Sequence, residues 1–466
     1  MTTADQPVRP DRRAILAGGS VLALSPLAGG VASRAAAAAG PAPSGANRYD
    51  FDTPYPRVGT DCAKWDEPVR REGMDHIVAG MGIADMDFRC APAITQALRA
   101  RIAHENWGYN TLEFDFGTDE AADHPFVKAV VEWNHRRYGI DVIDPRRLGL
   151  SSGVHSGLVA AIRAFCPAGG HVLMATPIYA GFYGDIVFTR TVPEESLMTW
   201  SHDRYEIDWD DLEARMAKPE VKVTILCNPH NPTGRVWTRD ELTRYGELAL
   251  RHDVVLLADE IHCDFVGAGR TYTPFSTLDP AIVHNSVTFK SASKSFSLAA
   301  MKCAWFYSTN PDLFAAVMAC NHSEMTTLGF VAAQAALQHG EPWLDQCVAY
   351  IDANHAFANA YIKDHIPLIR VGARPEGTYL EFIDVSPLAE RIGAARLASE
   401  MSVGRSAAVT PEHAVGHWMA SRAYVFMGAG SSFGKGGEGH MRMNIATSRR
   451  TLAAALDSLA AACATA

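Results

Sequence analysis

Four polar side chains and one glycine turn stand where apolar runs of this chain stop. Lys294 lies in "TFKSASKSFSLAAMK" (288–302), among serines and alanines too small to cover it. Asp259 ends "VVLLAD" (254–259), where a carboxylate taken out of water needs a partner, and a protonated heterocyclic nitrogen would serve. Asn231 sits in "CNPHNPTGR" (227–235), a turn stiffened by two Asn-Pro pairs that can hold an amide toward a ligand oxygen. Tyr179 follows a proline in "TPIYAGF" (176–182) and offers a ring for stacking. In "SSGVHSG" (151–157), Gly153 turns the chain and the amides of Gly153, Val154 and His155 open a helix, which suits a phosphate. Each feature alone has a plain structural reading: solvated lysine, helix cap, packed tyrosine. Together they describe a pyridoxal 5′-phosphate site with Lys294 as the amine that carries the cofactor. Ser291 and Lys302 bracket that lysine and complete the phosphate cradle.

The elements that must position these residues are legible in the hydrophobic pattern. "RRLGLSSG" reads as a strand running into the glycine turn, and "HSGLVAAIRAFC" as a helix with Leu158, Ile162 and Phe165 on one face. "HVLMATP", "KVTILCNP", "VVLLADE" and "SVTFK" read as further strands, with a helix in "ELTRYGELALRH". Near-continuous apolar strands separated by helices predict an α/β fold with a mostly parallel sheet covered on both faces. Ligands of such sheets lie at the carboxyl ends of the strands, where the five features fall. From "EGTYLEFID" to "TLAAALDSLAAACA" the pattern changes to a smaller α+β unit.

The chain has 466 residues, 48% hydrophobic and 20% charged, with a formal charge of −10. That balance describes a globular protein and argues against a nucleic-acid or anionic-membrane partner. Its nine cysteines form no C-x-x-C pair and several lie in apolar runs, so neither a disulfide framework nor a metal site is expected. The N-terminus is different. Arg12 and Arg13 precede an apolar stretch from Ala14 to Val31, and small residues follow around Ala35 to Ala39. This is the order of an export signal, and the arginine pair suggests the twin-arginine type, with a flexible cytoplasmic extension as the alternative.

Longer motifs carry a resemblance. "ADMDF" (84–88), "WGYN" (107–110), "PHNPTGRVW" (229–237), "DEIH" (259–262), "SKSF" (293–296), "GEPWLD" (340–345), "PEGTYL" (375–380) and "MRMN" (441–444) are spread along the chain. With them the sequence resembles fold-type I pyridoxal-phosphate enzymes, in the cystathionine β-lyase branch typified by the MalY and PatB proteins. The resemblance implies a large cofactor-binding domain over 97–340 and a small domain drawn from both ends, 40–96 and 341–466; the export signal read from the N-terminal residues takes up 1–39. It makes Lys294 the cofactor lysine, Asp259 the partner of the pyridine nitrogen, Asn231 the contact of the ring hydroxyl and Tyr179 the stacking ring. His262 falls near that hydroxyl, and Arg442 on the arginine that grips the substrate carboxylate. Tyr109 matches a tyrosine that reaches the phosphate of a neighbouring subunit, which implies a homodimer with shared active sites. Ser297 and Ala300 stand where the branch has Asn and Gly, and "VFMGAGSSFGKGGEGH" (425–440) differs from its usual run.

The implied reaction is carbon–sulfur β-elimination on cystathionine or a cysteine S-conjugate, with Lys294 as general base and Tyr109 or a water protonating the sulfur. An aminotransferase of class I/II uses the same core residues and is the alternative activity. A cofactor-holding regulator is a third reading.

Overall fold

The computed structural model describes residues 49–74, 76–113 and 119–466, so the expected export segment lies outside the described residues. Its central sheet has seven strands: β1 (Leu148–Ser151), β2 (His171–Thr176), β3 (Val192–Leu197), β4 (Val221–Cys227), β5 (Val255–Asp259), β6 (Ser286–Ser291) and β7 (Ala304–Tyr307). They lie in the order β1-β7-β6-β5-β4-β2-β3. β7 runs antiparallel to both neighbours, and the other pairings are parallel.

The apolar runs are continuous because both faces are covered. In β2, Val172 and Met174 join one core cluster with Leu158 and Ile162, while Leu173 and Ala175 join another with Leu242 and Tyr245. Helices Val154–Phe165, Gly181–Thr189, Trp209–Met216 and Arg239–Arg251 connect the first five strands in turn. Helix Arg239–Arg251 is closed by a capping box between Thr238 and Glu241. Helix Val154–Phe165 has no such cap: Gly153 gives it no side chain, so its first amides stay available.

Two of the seven strands escape the sequence pattern. β3 ("VPEESL") is an edge strand with only Glu194 and Ser196 buried, the reverse of the usual polarity. β7 ("AWFY") is short and returns antiparallel directly after the lysine segment. A second sheet holds β8 (Leu380–Asp384), β9 (Gly428–Ala429) and β10 (His440–Asn444) in the antiparallel order β8-β10-β9, with Phe382 opposite Arg442. Ala79–Gly80 pairs in parallel with Val425–Phe426, which ties the segment before "ADMDF" to the C-terminal part. Among the described residues, no helix is long and apolar enough to cross a membrane.

Candidate active site

At the carboxyl ends of β1, β2, β4, β5 and β6 lies a cavity of about 120 Å³ lined by Gly153, Val154, His155, Tyr179, Asn231, Asp259, His262, Lys294 and Lys302, with Ser152, Ser293 and Ala299 beside them. Residues as far apart in sequence as 153 and 302 thus share one small space. Larger cavities exist elsewhere, one of about 310 Å³ beside Trp200 and Arg374, but its arginines are tied into ion pairs with Glu376, Glu206, Glu241 and Asp352. The smaller cavity holds Asp259 and Lys294, for which no ion pair is found among the described residues.

Lys294 rises from the one-turn helix Ala292–Ser295 that follows β6. Its Nζ donates to the Ala84 carbonyl at 2.9 Å. Burial, with Arg442 nearby, lowers its pKa to about 8. An amine titrating there is part-neutral at ordinary pH and so competent as nucleophile or base. Asp259, 4% exposed, accepts from the Ile261 amide at 3.0 Å. No cation within ion-pair distance faces it among the described residues, and burial raises its pKa to about 6. His262 is pushed far down by burial and by the Lys294 and Arg442 charges, so its ring is neutral, and its buried Nδ1 has no hydrogen-bond partner.

Arg442 on β10 does not line the cavity itself but adjoins it through Asn231. Nη1 donates to Asn231 Oδ1 at 3.2 Å and Nη2 to the Gly82 carbonyl at 2.8 Å, while the guanidinium lies 4.8 Å over the Phe433 ring. Its Nε has no partner, and burial draws its pKa down to about 10. The Asn231 turn is tight for a reason outside itself. Gly234 has φ +71°, and a Cβ there would meet Pro375 at 2.6 Å.

Ser291 does not line the cavity. As N-cap of the lysine helix its hydroxyl binds the Ser293 amide at 3.0 Å and the Cys303 carbonyl at 2.8 Å, and Ser293 faces the cavity instead. Tyr109 does not line it either: it is 84% exposed on its own chain. Sequence reasoning missed Ser152 and Ser293, although hydroxyls next to a strand-end glycine and lysine are a usable signal. It also missed what the longer motifs do. In "ADMDF", Ala84 receives both Lys294 and the Tyr379 hydroxyl on its carbonyl, and Asn444 Nδ2 holds the carbonyls of Ile83 and Asp85. Ser297 bonds the Asp85 carboxylate and the Met86 amide, so this departure from the branch pattern pins the same segment. In "GEPWLD", Glu341 and Asp345 bind Arg137, which in turn binds Asp264, and Trp343 stacks on Phe296 two residues after Lys294. Both motifs fix the lysine from outside the cavity.

With this geometry in view, comparison with known proteins is informative. The chain matches the family described as "Aminotransferase class I and II" over residues 81–459, and it belongs to that family. Within it the chain falls in the MalY and PatB branch. It is 32% identical over 409 residues to "Cystathionine beta-lyase PatB" of Bacillus subtilis (strain 168), covering 86% of this chain and 97% of that one. It is 31% identical to "Protein MalY" of Escherichia coli (strain K12), covering 73% and 85% respectively. Among solved structures, cystalysin from Treponema denticola, which contains a pyridoxal 5′-phosphate cofactor, matches with a TM-score of 0.78 at 28% identity, over 89% of this chain and 98% of that one.

Proposed function

We infer that this protein is a pyridoxal-phosphate-dependent carbon–sulfur β-lyase that converts cystathionine or another cysteine S-conjugate, with water, to thiol, pyruvate and ammonia. The observation that carries the reading is a buried carboxylate, Asp259, with no ion-pair partner among the described residues, sharing a cavity with a lysine amine of pKa about 8, in a chain that aligns with a named cystathionine β-lyase over 86% of its length.

The residues fit the cofactor. Asp259 lacks the cation that a protonated pyridine would be, the uncapped helix start at Gly153 leaves amides for a phosphate, and Lys302 and Ser293 add charge and a hydroxyl. When bound, pyridoxal phosphate supplies an electron sink for the negative charge that forms at the substrate α-carbon. Asp259 sustains that sink by favouring a protonated ring nitrogen. Arg442 binds the α-carboxylate through its planar donors, which Asn231 helps to orient. Lys294, once its amine is free, removes the α-proton as general base. The thiolate then leaves from the β-carbon, and hydrolysis of the remaining enamine gives pyruvate and ammonia.

The test is turnover of L-cystathionine without any 2-oxo acid. Catalytic release of pyruvate and thiol is expected. Turnover that requires a 2-oxo acid and yields a new amino acid would make the aminotransferase alternative correct.

Two further readings belong to this function. A homodimer is supported by large apolar side chains left outside the core at Ile102, Trp107 and Tyr109, 52%, 60% and 84% exposed, and sedimentation measures it. Export by the twin-arginine route is supported by Arg12-Arg13 and the apolar stretch after it, since that route carries folded, loaded proteins. Finding the full-length chain uncleaved in the cytoplasm rejects export.

A further inference from the structure

One cavity residue has a side chain that the reaction above does not use. His155 is the second residue of helix Val154–Phe165, and its imidazole turns toward the cavity. Nδ1 lies 2.6 Å from Asp185 Oδ2, and Nε2 lies 3.3 Å from the Tyr179 hydroxyl. Asp185 is 8% exposed, on helix Gly181–Thr189. The residue that opens this helix makes room for the arrangement. A Cβ at Gly181 would stand 2.4 Å from His155 Cε1 and 2.6 Å from Tyr179 Cε1, so a side chain there is excluded by the contact of these two rings. Phe182 meets the Tyr179 ring edge-on at 5.4 Å. Tyr179 is therefore held by Phe182 at its ring and by His155 at its oxygen.

We propose that His155 and Asp185 form a dyad that sets the direction of the Tyr179 hydroxyl, with His155 as a positioning residue at the cofactor cavity. The chemistry is a matter of donors. Protonated, His155 gives Nδ1–H to Asp185 and Nε2–H to the phenol oxygen, which leaves the phenol proton free to point into the cavity. Neutral, with Nδ1–H still on Asp185, its Nε2 accepts that proton and withdraws it. The charged and titratable groups that reach His155 are Asp185, Asp259, Lys294 and Tyr179. The imidazole is 46% exposed; its partial burial and the Lys294 charge would lower its pKa, but the Asp185 carboxylate, aided by Asp259, raises it. The donating arrangement thus extends above the range of a free imidazole. A ligand with an acceptor at this wall, as pyridoxal phosphate has, gains a hydrogen bond only while His155 is charged.

The proposal rests on the cofactor reading for its ligand but not for the dyad, and two measurements separate them. First, the His155 imidazole is titrated by NMR in cofactor-free protein with isotope-labelled histidine, assigned by its loss in His155→Gln. A midpoint above about 6.5 that falls by about one unit or more in Asp185→Asn is expected. An equal midpoint in both proteins overturns the dyad. Second, pyridoxal phosphate affinity is measured from pH 5.5 to 9 for wild type, His155→Gln and Tyr179→Phe, which removes only the hydroxyl. The ratio of variant to wild-type dissociation constants should fall from about tenfold below the midpoint to near unity above it, the scale of one hydrogen bond. A ratio independent of pH overturns the role given to Tyr179. Wild type that takes up no cofactor at any pH rejects the cofactor reading, while the first measurement still decides the dyad.

Discussion

Asp259 and Asp264 are five residues apart on the stretch that leaves β5, and both are buried, 4% and 8% exposed. Asp264 is surrounded by donors: Arg137 Nε at 2.9 Å, the Tyr138 hydroxyl and the Ser295 hydroxyl. Asp259 has one backbone amide and, among the described residues, no cation within ion-pair distance. The same contrast recurs at the "ADMDF" segment, where Asp87 is bound by Lys64 at 2.8 Å, Arg57 at 3.1 Å and the Trp65 indole at 2.8 Å. A buried carboxylate that is fully bonded holds structure. One left without a cation beside a cavity is strained toward its neutral form and answers to whatever brings a charge. The lesson is that burial of charge alone does not mark a site; incomplete pairing beside open space does.

The comparison breaks most visibly at Lys294. Lys294→Ala should remove the visible absorption that pyridoxal phosphate gives the wild type and lower turnover at least about a thousandfold, with the melting transition little changed. A variant that keeps turnover within tenfold would place the base elsewhere. The bonded side responds in the opposite currency. Asp87→Ala leaves Lys64, 1% exposed, without its carboxylate and should cost about 3–5 kcal/mol of stability in urea unfolding. A loss under about 1 kcal/mol would mean that water enters and replaces the carboxylate.

These two classes of residue were not equally legible. Lys294, Asp259, Asn231 and Tyr179 could be read because a parallel sheet places its strand ends together, so residues after separate apolar runs had to converge. Arg442 came only through the resemblance, since it sits within a strand of the second sheet. Asp185 was hidden: an aspartate inside a helix usually faces water, and only tertiary packing brings it to His155. The roles of "ADMDF" and "GEPWLD" were hidden for the same reason, because they reach Lys294 and its neighbour Phe296 from more than forty positions away in sequence. β3 was lost because an edge strand that buries glutamate and serine has no apolar alternation to read.

Asp259→Asn sharpens the contrast from the open side. An amide cannot favour a protonated ring nitrogen, so turnover should drop about a hundredfold while cofactor is retained. Near-wild-type turnover would remove Asp259 from the electron-sink role.

The smallest expected effect tests the same residue without catalysis. In cofactor-free protein the Asp259 pKa is raised from 3.8 to about 6 by burial. An acid whose folded pKa lies above its unfolded value binds its proton more tightly when folded. Its stabilising contribution is therefore fully present below pH 3.8 and is lost as pH rises through about 6. Other carboxylates move the opposite way: Glu194, bound by Lys218, His171 and Arg215, is held down at about 2. Total stability against pH mixes both, so the informative quantity is the difference between wild type and Asp259→Asn. That difference should shift in favour of the variant by about 1 kcal/mol between pH 5 and pH 7, approaching about 3 kcal/mol over the whole titration. Saturating pyridoxal phosphate should reverse it at pH 7, because the bound ring brings the missing cation to Asp259 and not to an amide. A difference that stays constant from pH 5 to pH 7 would mean that Asp259 is already paired or hydrated in the free protein, and the contrast with Asp264 would lose its physical basis.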